Sequence, residues 1–166
     1  MRSTTHLTLN AYLSACPIMP RPKHSPPQTD TADEIEAAFY EALQTGDIER
    51  LMACWADEDE IVCVHPGGGR LVGASQIRAS FEAMFANGTI AARPELVHRV
   101  DMLGACMHNL IERLDILTPD GPAQACVIAT NVYARTAQGW RMVVHHASPG
   151  SPAEIQELQP SPSVLH

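Results

Sequence analysis

The chain has 166 residues, which is enough for one domain with a full hydrophobic core and too few for two well-separated ones. Hydrophobic residues make up 45% and charged residues 18%, a balance typical of globular proteins rather than of disordered or membrane proteins. The net charge of -8, from 11 basic and 19 acidic side chains, lacks the positive surface that phosphate backbones require. We therefore expect no nucleic-acid partner.

The cysteines and the apolar segments indicate a reducing, non-membrane environment. The five cysteines form no CxxC pair, and an odd number cannot all pair within one chain. Most have apolar neighbours, where a reduced thiol behaves as a small hydrophobic side chain, and a zinc site built from them is not expected. No segment reaches the roughly 18 apolar residues of a membrane span, and polar residues interrupt the apolar N-terminal stretch. We expect a cytoplasmic protein without membrane contacts.

Proline-rich segments flank the central part of the chain. Residues 17–30 contain five prolines, which prevent a helix or a central strand, so residues 1–30 are predicted to be a disordered extension that is dispensable for folding. Met19 lies within this extension and is an alternative start of translation. Residues 150–166 contain three more prolines and are predicted to be a flexible tail. The folded domain is expected to span residues 31–149.

Capping signals and the helical spacing of apolar residues predict three helices. Thr31 and Glu34 have the Thr-x-x-Glu spacing of a capping box, and the apolar stripe that follows runs to Gly46, a natural C-cap. Asp47 is predicted to cap a second, short helix. A third helix is predicted over the apolar series in residues 77–85.

Alternation of apolar and polar residues predicts strands for the rest of the domain. A short strand over residues 60–65 ends at a turn with three consecutive glycines, which are too flexible for a strand interior. Four longer strands are predicted at about 90–102, 105–117, 124–136 and 140–147, the last three joined by hairpin turns. Helices followed by antiparallel strands, without alternating βα units, indicate the α+β class.

The order of these elements and several short motifs resemble one superfamily. The motifs are Phe39-Tyr40-Glu41-Ala42-Leu43, Gly46-Asp47, Trp55-Ala56-Asp57, Val64-His65-Pro66-Gly67-Gly68, Gly73 to Ile77, and the final Gly139 to Pro149. In order and spacing they resemble the nuclear transport factor 2-like superfamily, in its branch of SnoaL-like and ketosteroid-isomerase-like proteins.

This resemblance implies a cone-shaped fold. A curved, mixed, mainly antiparallel sheet wraps around the N-terminal helices in such proteins and encloses a deep apolar cavity. The resemblance also implies a homodimer formed through the sheet, and apolar residues on both faces of the strand at 124–136 agree with this, because one face needs a cover. The expected ligand is a small apolar molecule, and no cofactor is expected.

The resemblance also indicates which three residues lie in the cavity. His65 falls where ketosteroid isomerases place the aspartate that moves the proton, and an imidazole can accept a proton near neutral pH. Its alternative role is that of a turn residue that binds the amides of the glycine loop. Phe39 falls where those enzymes have a tyrosine, and Asn131 where they have a protonated aspartate. Phe39 cannot donate a hydrogen bond, which disfavours steroid isomerisation, whereas Asn131 can polarise a carbonyl.

Glu112 is the second candidate for proton transfer. Period-2 alternation places it on the more apolar face of its strand, between Leu110 and Leu114. A carboxylate there must be paired, raised in pKa or in contact with a wet cavity. If this alternation of faces along the strand is right, His65 and Glu112 share one pocket. The alternatives are a bulge that changes the phase or an ion pair with Arg99, Arg113 or Arg141.

Two further aromatic positions are candidates for ligand contact. His145 and His146 point to opposite faces of the last strand, so at most one can line the cavity, and the phase of Met142 favours His146. Either histidine can instead be a satisfied residue of the sheet. Trp55 is predicted to stack on the ligand or to complete the core, and its indole N–H needs a partner in both cases.

Two functions of different classes fit these residues. The first is a cofactor-independent isomerase, cyclase or dehydratase in which His65 or Glu112 moves a proton next to a carbonyl. The second is a non-catalytic ligand-binding or dimerisation module. A metal held by His65, Glu112 and one of His145 and His146 is chemically possible, but the spacing is not diagnostic and no HExxH motif is present, so no metal is expected. A cavity of several hundred Å³ with converging polar groups favours ligand binding, and a packed interior favours the module.

Overall fold

The computed structural model describes residues 31–151, 153 and 154. The predicted extension 1–30, with Met19 and Cys16, lies outside the described residues, and so does most of the predicted tail. The helices that frame the domain are α1 (Ala32–Thr45), α2 (Ile48–Ala53) and α3 (Ala74–Phe85). The strands are β1 (Val62–Val64), β2 (Arg70–Val72), β3 (Ala92–Met102), β4 (Ala105–Thr118), β5 (Gly121–Thr136) and β6 (Gly139–Pro149).

The six strands form one curved sheet in the order β2-β1-β6-β5-β4-β3. All neighbouring strands are antiparallel except β1 and β6, which run parallel with Cys63 opposite His145. The last three strands are consecutive in the chain and are joined by tight turns, as predicted. The α+β class, with helices first and a mixed, mainly antiparallel sheet after them, is therefore confirmed.

The ends of α1 follow the predicted local signals. Thr31 Oγ1 accepts a hydrogen bond from the Glu34 amide at 3.2 Å, and a Glu34 carboxylate oxygen accepts one from the Thr31 amide at 3.1 Å, which completes the capping box. Gly46 ends the helix with φ 68°, a left-handed conformation that glycine adopts without steric cost. Asp47 then caps α2 through the Arg50 amide at 3.0 Å.

The core lies between the helices and the inner face of the sheet. The stripe predicted for α1 is buried, and Phe39 is its central residue, with no exposed surface. Its ring makes edge-to-face contacts with Phe81 of α3 and Trp55, at centroid distances of 6.1 and 6.4 Å. These contacts connect α1 with α3 and with the segment that follows α2.

Strand β5 shows how the two faces of the sheet differ. Val127, Ala129 and Tyr133 are buried on the inner face, as the period-2 pattern predicts. Ile128 and Val132, on the outer face, are only half-buried. The outer face therefore keeps apolar surface that the single chain leaves partly in contact with solvent.

The described cysteines are free thiols inside the domain. Cys54, Cys63, Cys106 and Cys126 are buried and unpaired with one another. Burial raises the pKa of both Cys54 and Cys63 to about 12, so these two remain neutral near pH 7. Between residues 31 and 154, no helix of the described part is long and apolar enough to cross a membrane.

Candidate functional site

A cavity of about 140 Å³ lies between α1, α3 and the inner face of the sheet. Three of its lining side chains can exchange protons, namely His65, Glu112 and His145. The other side chains in the wall are apolar: Phe39, Leu43, Pro66, Phe81, Met84, Ile90, Ala92, Leu114 and Val127. The lining is therefore mostly apolar with a few polar groups, and the volume is smaller than the several hundred Å³ expected of a ligand site.

Glu112 is buried in the wall of this cavity and is held by a tyrosine of α1. The Tyr40 hydroxyl donates a hydrogen bond of 2.7 Å to Glu112 Oε1. Burial raises the pKa of Glu112 to about 7, the Tyr40 hydrogen bond lowers it, and the negative charge of Glu36 adds to the increase. The same burial, with the charge of Glu112, raises the pKa of Tyr40 well above its ordinary value. Tyr40 therefore stays protonated and acts as a donor.

The strand phase predicted for Glu112 agrees with the burial of β4. His108, Leu110 and Glu112 are all buried on the inner face. The hydrogen-bond partner of Glu112 is Tyr40, and the alternative of an ion pair with Arg99 or Arg113 is wrong. Two of the proposed arginines bind other acids: Arg113 pairs with Glu95, and Arg99 pairs with Asp33 and Asp101.

Replacing Tyr40 by Phe is expected to raise the pKa of Glu112 further above about 7, because the hydrogen bond that stabilises the charged carboxylate is lost. The side-chain carboxyl carbon of Glu112, observed by ¹³C NMR through a pH titration, measures this shift. Replacing Tyr133 by Phe is the matched control, since it deletes a buried hydroxyl that donates to Glu36 instead. A Glu112 midpoint that stays in place in the Tyr40 variant contradicts the expected role of the hydroxyl.

His65 lies directly after β1, at the start of the glycine turn. Its backbone carbonyl accepts from the Gly68 amide at 2.8 Å, so the turn uses the backbone of His65 while the side chain lines the cavity. The ring packs edge-on against Phe81 at a centroid distance of 5.0 Å and lies 3.8 Å from the Cys63 sulfur. Burial lowers the pKa of His65, so the imidazole is neutral near pH 7.

His145 and Asn131 face each other across β5 and β6. They are directly opposite in the sheet register, and His145 Nδ1 lies 2.7 Å from Asn131 Oδ1. Burial, followed by the nearby His65 and His146, lowers the pKa of His145 to about 3. The imidazole of His145 is therefore neutral and is held by a side-chain hydrogen bond.

The expected position of His146 needs correction. His146 is exposed, and His145 is buried and lines the cavity in its place. The cause is a bulge in β6: Val132 pairs with Val144 while the next residue, Tyr133, pairs with Met142. The extra residue shifts the alternation by one position, so that Met142 and His145 are both buried.

The other predicted contact residues lie at different depths. Phe39 lies in the cavity wall. Asn131 is fully buried behind the wall, where it connects His145 to the Tyr40 hydroxyl, which its amide nitrogen approaches to 3.3 Å. Trp55 belongs to the core rather than to the cavity wall, and its indole nitrogen is buried without an acceptor among the described residues.

A second buried polar cluster lies beside the cavity. Glu36, one helical turn before Tyr40, accepts from the Tyr133 hydroxyl at 3.0 Å and lies 2.8 Å from His108 Nδ1. His108 Nε2 lies 3.4 Å from a carboxylate oxygen of Asp33 at the start of α1. The sequence analysis missed this cluster and also Tyr40. The spacing of four between Glu36 and Tyr40 places both on one helix face, and this was the available signal.

No metal site accompanies these groups in the described part of the chain. Within residues 31–151, 153 and 154, no group of three or more histidine, cysteine or acidic side chains has the geometry to hold a metal ion. His65 and Glu112 share the cavity wall, but the pKa of each is set mainly by burial. The geometry therefore offers acid–base and hydrogen-bonding chemistry.

Solved structures with the same fold include two with substantial sequence identity. One, from Thiobacillus denitrificans, is provisionally described as a calcium/calmodulin-dependent protein kinase type II association domain. It is 36% identical, covers 74% of this chain and 97% of its own, and has a TM-score of 0.67. Another, from Streptomyces avermitilis, is provisionally described as a dehydratase of the nuclear transport factor 2-like family. It is 31% identical, covers 71% and 93% of the two chains, and has a TM-score of 0.63.

A more distant structure and a family model also match the chain. A calcium/calmodulin-dependent protein kinase II hub from S. rosetta shares the fold at 16% identity, with coverage of 70% and 92% and a TM-score of 0.58. No curated protein sequence matches the chain. The family model of the SnoaL-like domain matches residues 33–153, which is nearly all of the described part. The chain therefore belongs to the SnoaL-like domain family, within the nuclear transport factor 2-like superfamily.

Proposed function

We propose that the chain is a cofactor-independent acid–base enzyme that moves a proton next to a carbonyl group in a small, mostly apolar ligand. Glu112 carries this proposal, because it is a buried carboxyl group in the cavity wall with a pKa raised to about 7. A group with that pKa can both accept and release a proton near neutral pH, which general acid–base catalysis requires. Isomerisation, cyclisation and dehydration all use such a step.

The neighbouring side chains support the roles that this reaction needs. The Glu112 carboxylate takes the proton from the carbon next to the carbonyl, and the electron pair of that C–H bond moves to the carbonyl oxygen. The Tyr40 hydroxyl stabilises the charged form of Glu112 before the transfer. His65, which is neutral in the cavity wall, has the N–H group that can donate to the developing oxyanion. Glu112 then returns the proton to a carbon or oxygen atom of the product.

The cavity volume limits the size of the ligand. The volume is about 140 Å³, and an apolar cavity of about 150 Å³ in another protein holds one benzene molecule. A compound with one six-membered ring therefore fits, whereas a four-ring steroid does not. This agrees with Phe39, which cannot supply the donor that its position has in ketosteroid isomerases.

A deuterium-exchange assay tests this proposal without knowledge of the natural substrate. Cyclohexanone has one six-membered ring and protons next to its carbonyl, and incorporation of deuterium from D₂O at these positions is measured by ¹H NMR. We expect the protein to accelerate this exchange, and Glu112→Gln to reduce the acceleration by about 10²-fold to 10⁴-fold, the usual contribution of a general base.

The matched control is Glu60→Gln, which makes the same chemical change at an exposed carboxylate outside the cavity wall. Its exchange rate should equal that of the unmodified protein. Equal rates in the Glu112 and Glu60 variants contradict the proposal, because the exchange then arises from the surface or the buffer. The proposal is also contradicted if NMR shows that cyclohexanone binds in the cavity and the unmodified protein does not accelerate the exchange.

The second candidate is a non-catalytic ligand-binding or dimerisation module. It is favoured by the 36% identical relative, which is described as an association domain. It is also favoured by apolar side chains on the edge strand β3, where Val97, Val100 and Met102 are each more than two-fifths exposed. A module of this kind needs the sheet surface and leaves the carboxyl group of Glu112 without a catalytic role.

We expect the chain to form a homodimer, because the outer face of the sheet and its edge keep apolar side chains in contact with solvent. Sedimentation equilibrium at micromolar concentration measures the mass of the particle. A mass of one chain contradicts the expectation. Replacing Val100 by Lys places a charge on this surface and should shift the equilibrium toward the monomer, whereas the same change at the exposed Ala137 should leave it unchanged.

A further inference from the structure

A row of polar side chains crosses the inner face of the sheet beneath α1. His108, Asn131 and His145 lie directly opposite one another on β4, β5 and β6. All three are at least 96% buried. Buried polar groups must satisfy one another, so the hydrogen-bond directions along such a row are mutually dependent.

The two buried carboxylates fix the directions of the tyrosine hydroxyls. A charged carboxylate only accepts hydrogen bonds, so at a pH above the pKa of Glu112 the Tyr40 hydroxyl must donate its proton to Glu112 at 2.7 Å. The Tyr133 hydroxyl donates its proton to Glu36 at 3.0 Å. Each hydroxyl has one proton. The tyrosine oxygens can therefore only accept from any further neighbour.

Asn131 is the neighbour that meets these oxygens. Its side chain lies 3.3 Å from the Tyr40 oxygen, and that oxygen can only accept, so the atom facing it must be the amide nitrogen. Tyr133 supports the same orientation. Burial and the charge of Glu36 raise the pKa of Tyr133, whereas a hydrogen bond from Asn131 lowers it, as expected for donation to the Tyr133 oxygen.

The orientation of Asn131 determines the protonation of His145. With the amide nitrogen turned toward the tyrosines, Oδ1 faces His145 at 2.7 Å and can only accept. Nδ1 of His145 must then carry the proton. A neutral imidazole has one N–H group, so Nε2 is left as an unprotonated acceptor on a side chain that lines the cavity.

We propose that His145 presents Nε2 to the cavity as a fixed hydrogen-bond acceptor, that Asn131 is the positioning residue that holds this tautomer, and that the site selects ligands carrying a hydroxyl group. The assignment rests on the proposed function and deepens it by naming the chemistry of the ligand. Nε2 and the Glu112 carboxylate are both acceptors, so a donor on the ligand satisfies them, and an apolar ring fills the remaining volume.

The tautomer is measured directly by long-range ¹H–¹⁵N NMR of the His145 ring at pH 8.5, where Glu112 is charged. We expect Nδ1 protonated and Nε2 unprotonated. Asn131→Leu removes the acceptor with little change in shape, and the population with a proton on Nδ1 should fall at least about threefold. Asn131→Asp restores an acceptor at the same place and should restore the Nδ1–H form. A merely structural role of Asn131 leaves the tautomer unchanged in all three proteins.

A matched pair of probes tests the ligand class. Phenol and toluene have nearly the same shape, and only phenol has a hydroxyl donor. Added phenol should move the Nε2 resonance of His145, and toluene at saturation should leave it in place. Unprotonated Nδ1 in the unmodified protein, or bound phenol without an Nε2 response, overturns the assignment. These readouts need no turnover, so failure of the exchange assay alone contradicts only the catalytic role of Glu112.

Discussion

Glu112→Gln is expected to remove a contribution of Glu112 to the free energy of unfolding that falls by about 3 kcal/mol between acidic and alkaline pH. The pKa of Glu112 rises from 4.5 to about 7 on folding because the side chain is buried. A pKa difference of this size corresponds to about 3 kcal/mol, since each pH unit is worth about 1.4 kcal/mol. Glutamine at this position has no proton to lose.

The sign follows from where the proton is bound. Between pH 4.5 and 7 the folded protein keeps the Glu112 proton while the unfolded chain has released it, so the folded state binds more protons. Stability then falls as the pH rises, and the loss is complete above the folded pKa. The contribution of Glu112 is most favourable below its ordinary pKa and least favourable at alkaline pH.

Urea unfolding at pH 5 and pH 8 measures this difference. The free energy of unfolding of Glu112→Gln, relative to the unmodified protein, should be about 2.5 kcal/mol more favourable at pH 8 than at pH 5. Any constant effect of the amide on packing cancels in this comparison. Glu60→Gln, at an exposed position, should show no such difference. Parallel pH profiles for the Glu112 variant and the unmodified protein contradict the raised pKa.

Much of the fold is predictable from local chemistry. The capping box at Thr31, the glycine that ends α1 and the cap at Asp47 all form as their residue types predict, because each depends only on neighbours within four positions. The predicted strand boundaries lie within a few residues of those observed. Turn residues and alternation are local signals, and the order of the elements then leaves few possible topologies.

The candidate site is less predictable because it depends on contacts between distant segments. Alternation along β4 correctly places Glu112 on the inner face, since that part of the strand pairs regularly with β5. The same reasoning wrongly predicts His146, instead of His145, for the inner face of β6. One extra residue in β6 reverses the alternation of the two faces, and this bulge has no sequence signal of its own. Tyr40 lies 72 positions from its partner Glu112, so its role depends on the packing of α1 against the sheet.

His145→Asn is expected to remove a loss of stability on acidification, the opposite of the effect of Glu112. Burial lowers the pKa of His145 from 6.5 to about 3, so below pH 6.5 the unfolded chain binds a proton that the folded protein does not. Stability therefore falls as the pH falls, by roughly 5 kcal/mol if both pKa values are passed. Asparagine keeps an N–H donor at the place of Nδ1, so the bond to Asn131 is retained while the titration is lost.

The two opposite effects overlap between about pH 4.5 and pH 6.5. In this range the unfolded chain holds a proton on His145, whereas the folded protein holds one on Glu112. Their contributions nearly cancel there, so the unmodified protein shows little net pH dependence from this pair. Each variant should therefore show the pH dependence of the residue that remains titratable. Unfolding free energies of Glu112→Gln should rise with pH by about 1.4 kcal/mol per unit relative to the unmodified protein, and those of His145→Asn should fall by about the same amount. Slopes of equal sign in the two variants contradict the opposite pKa shifts, and with them the acid–base properties assigned to this cavity.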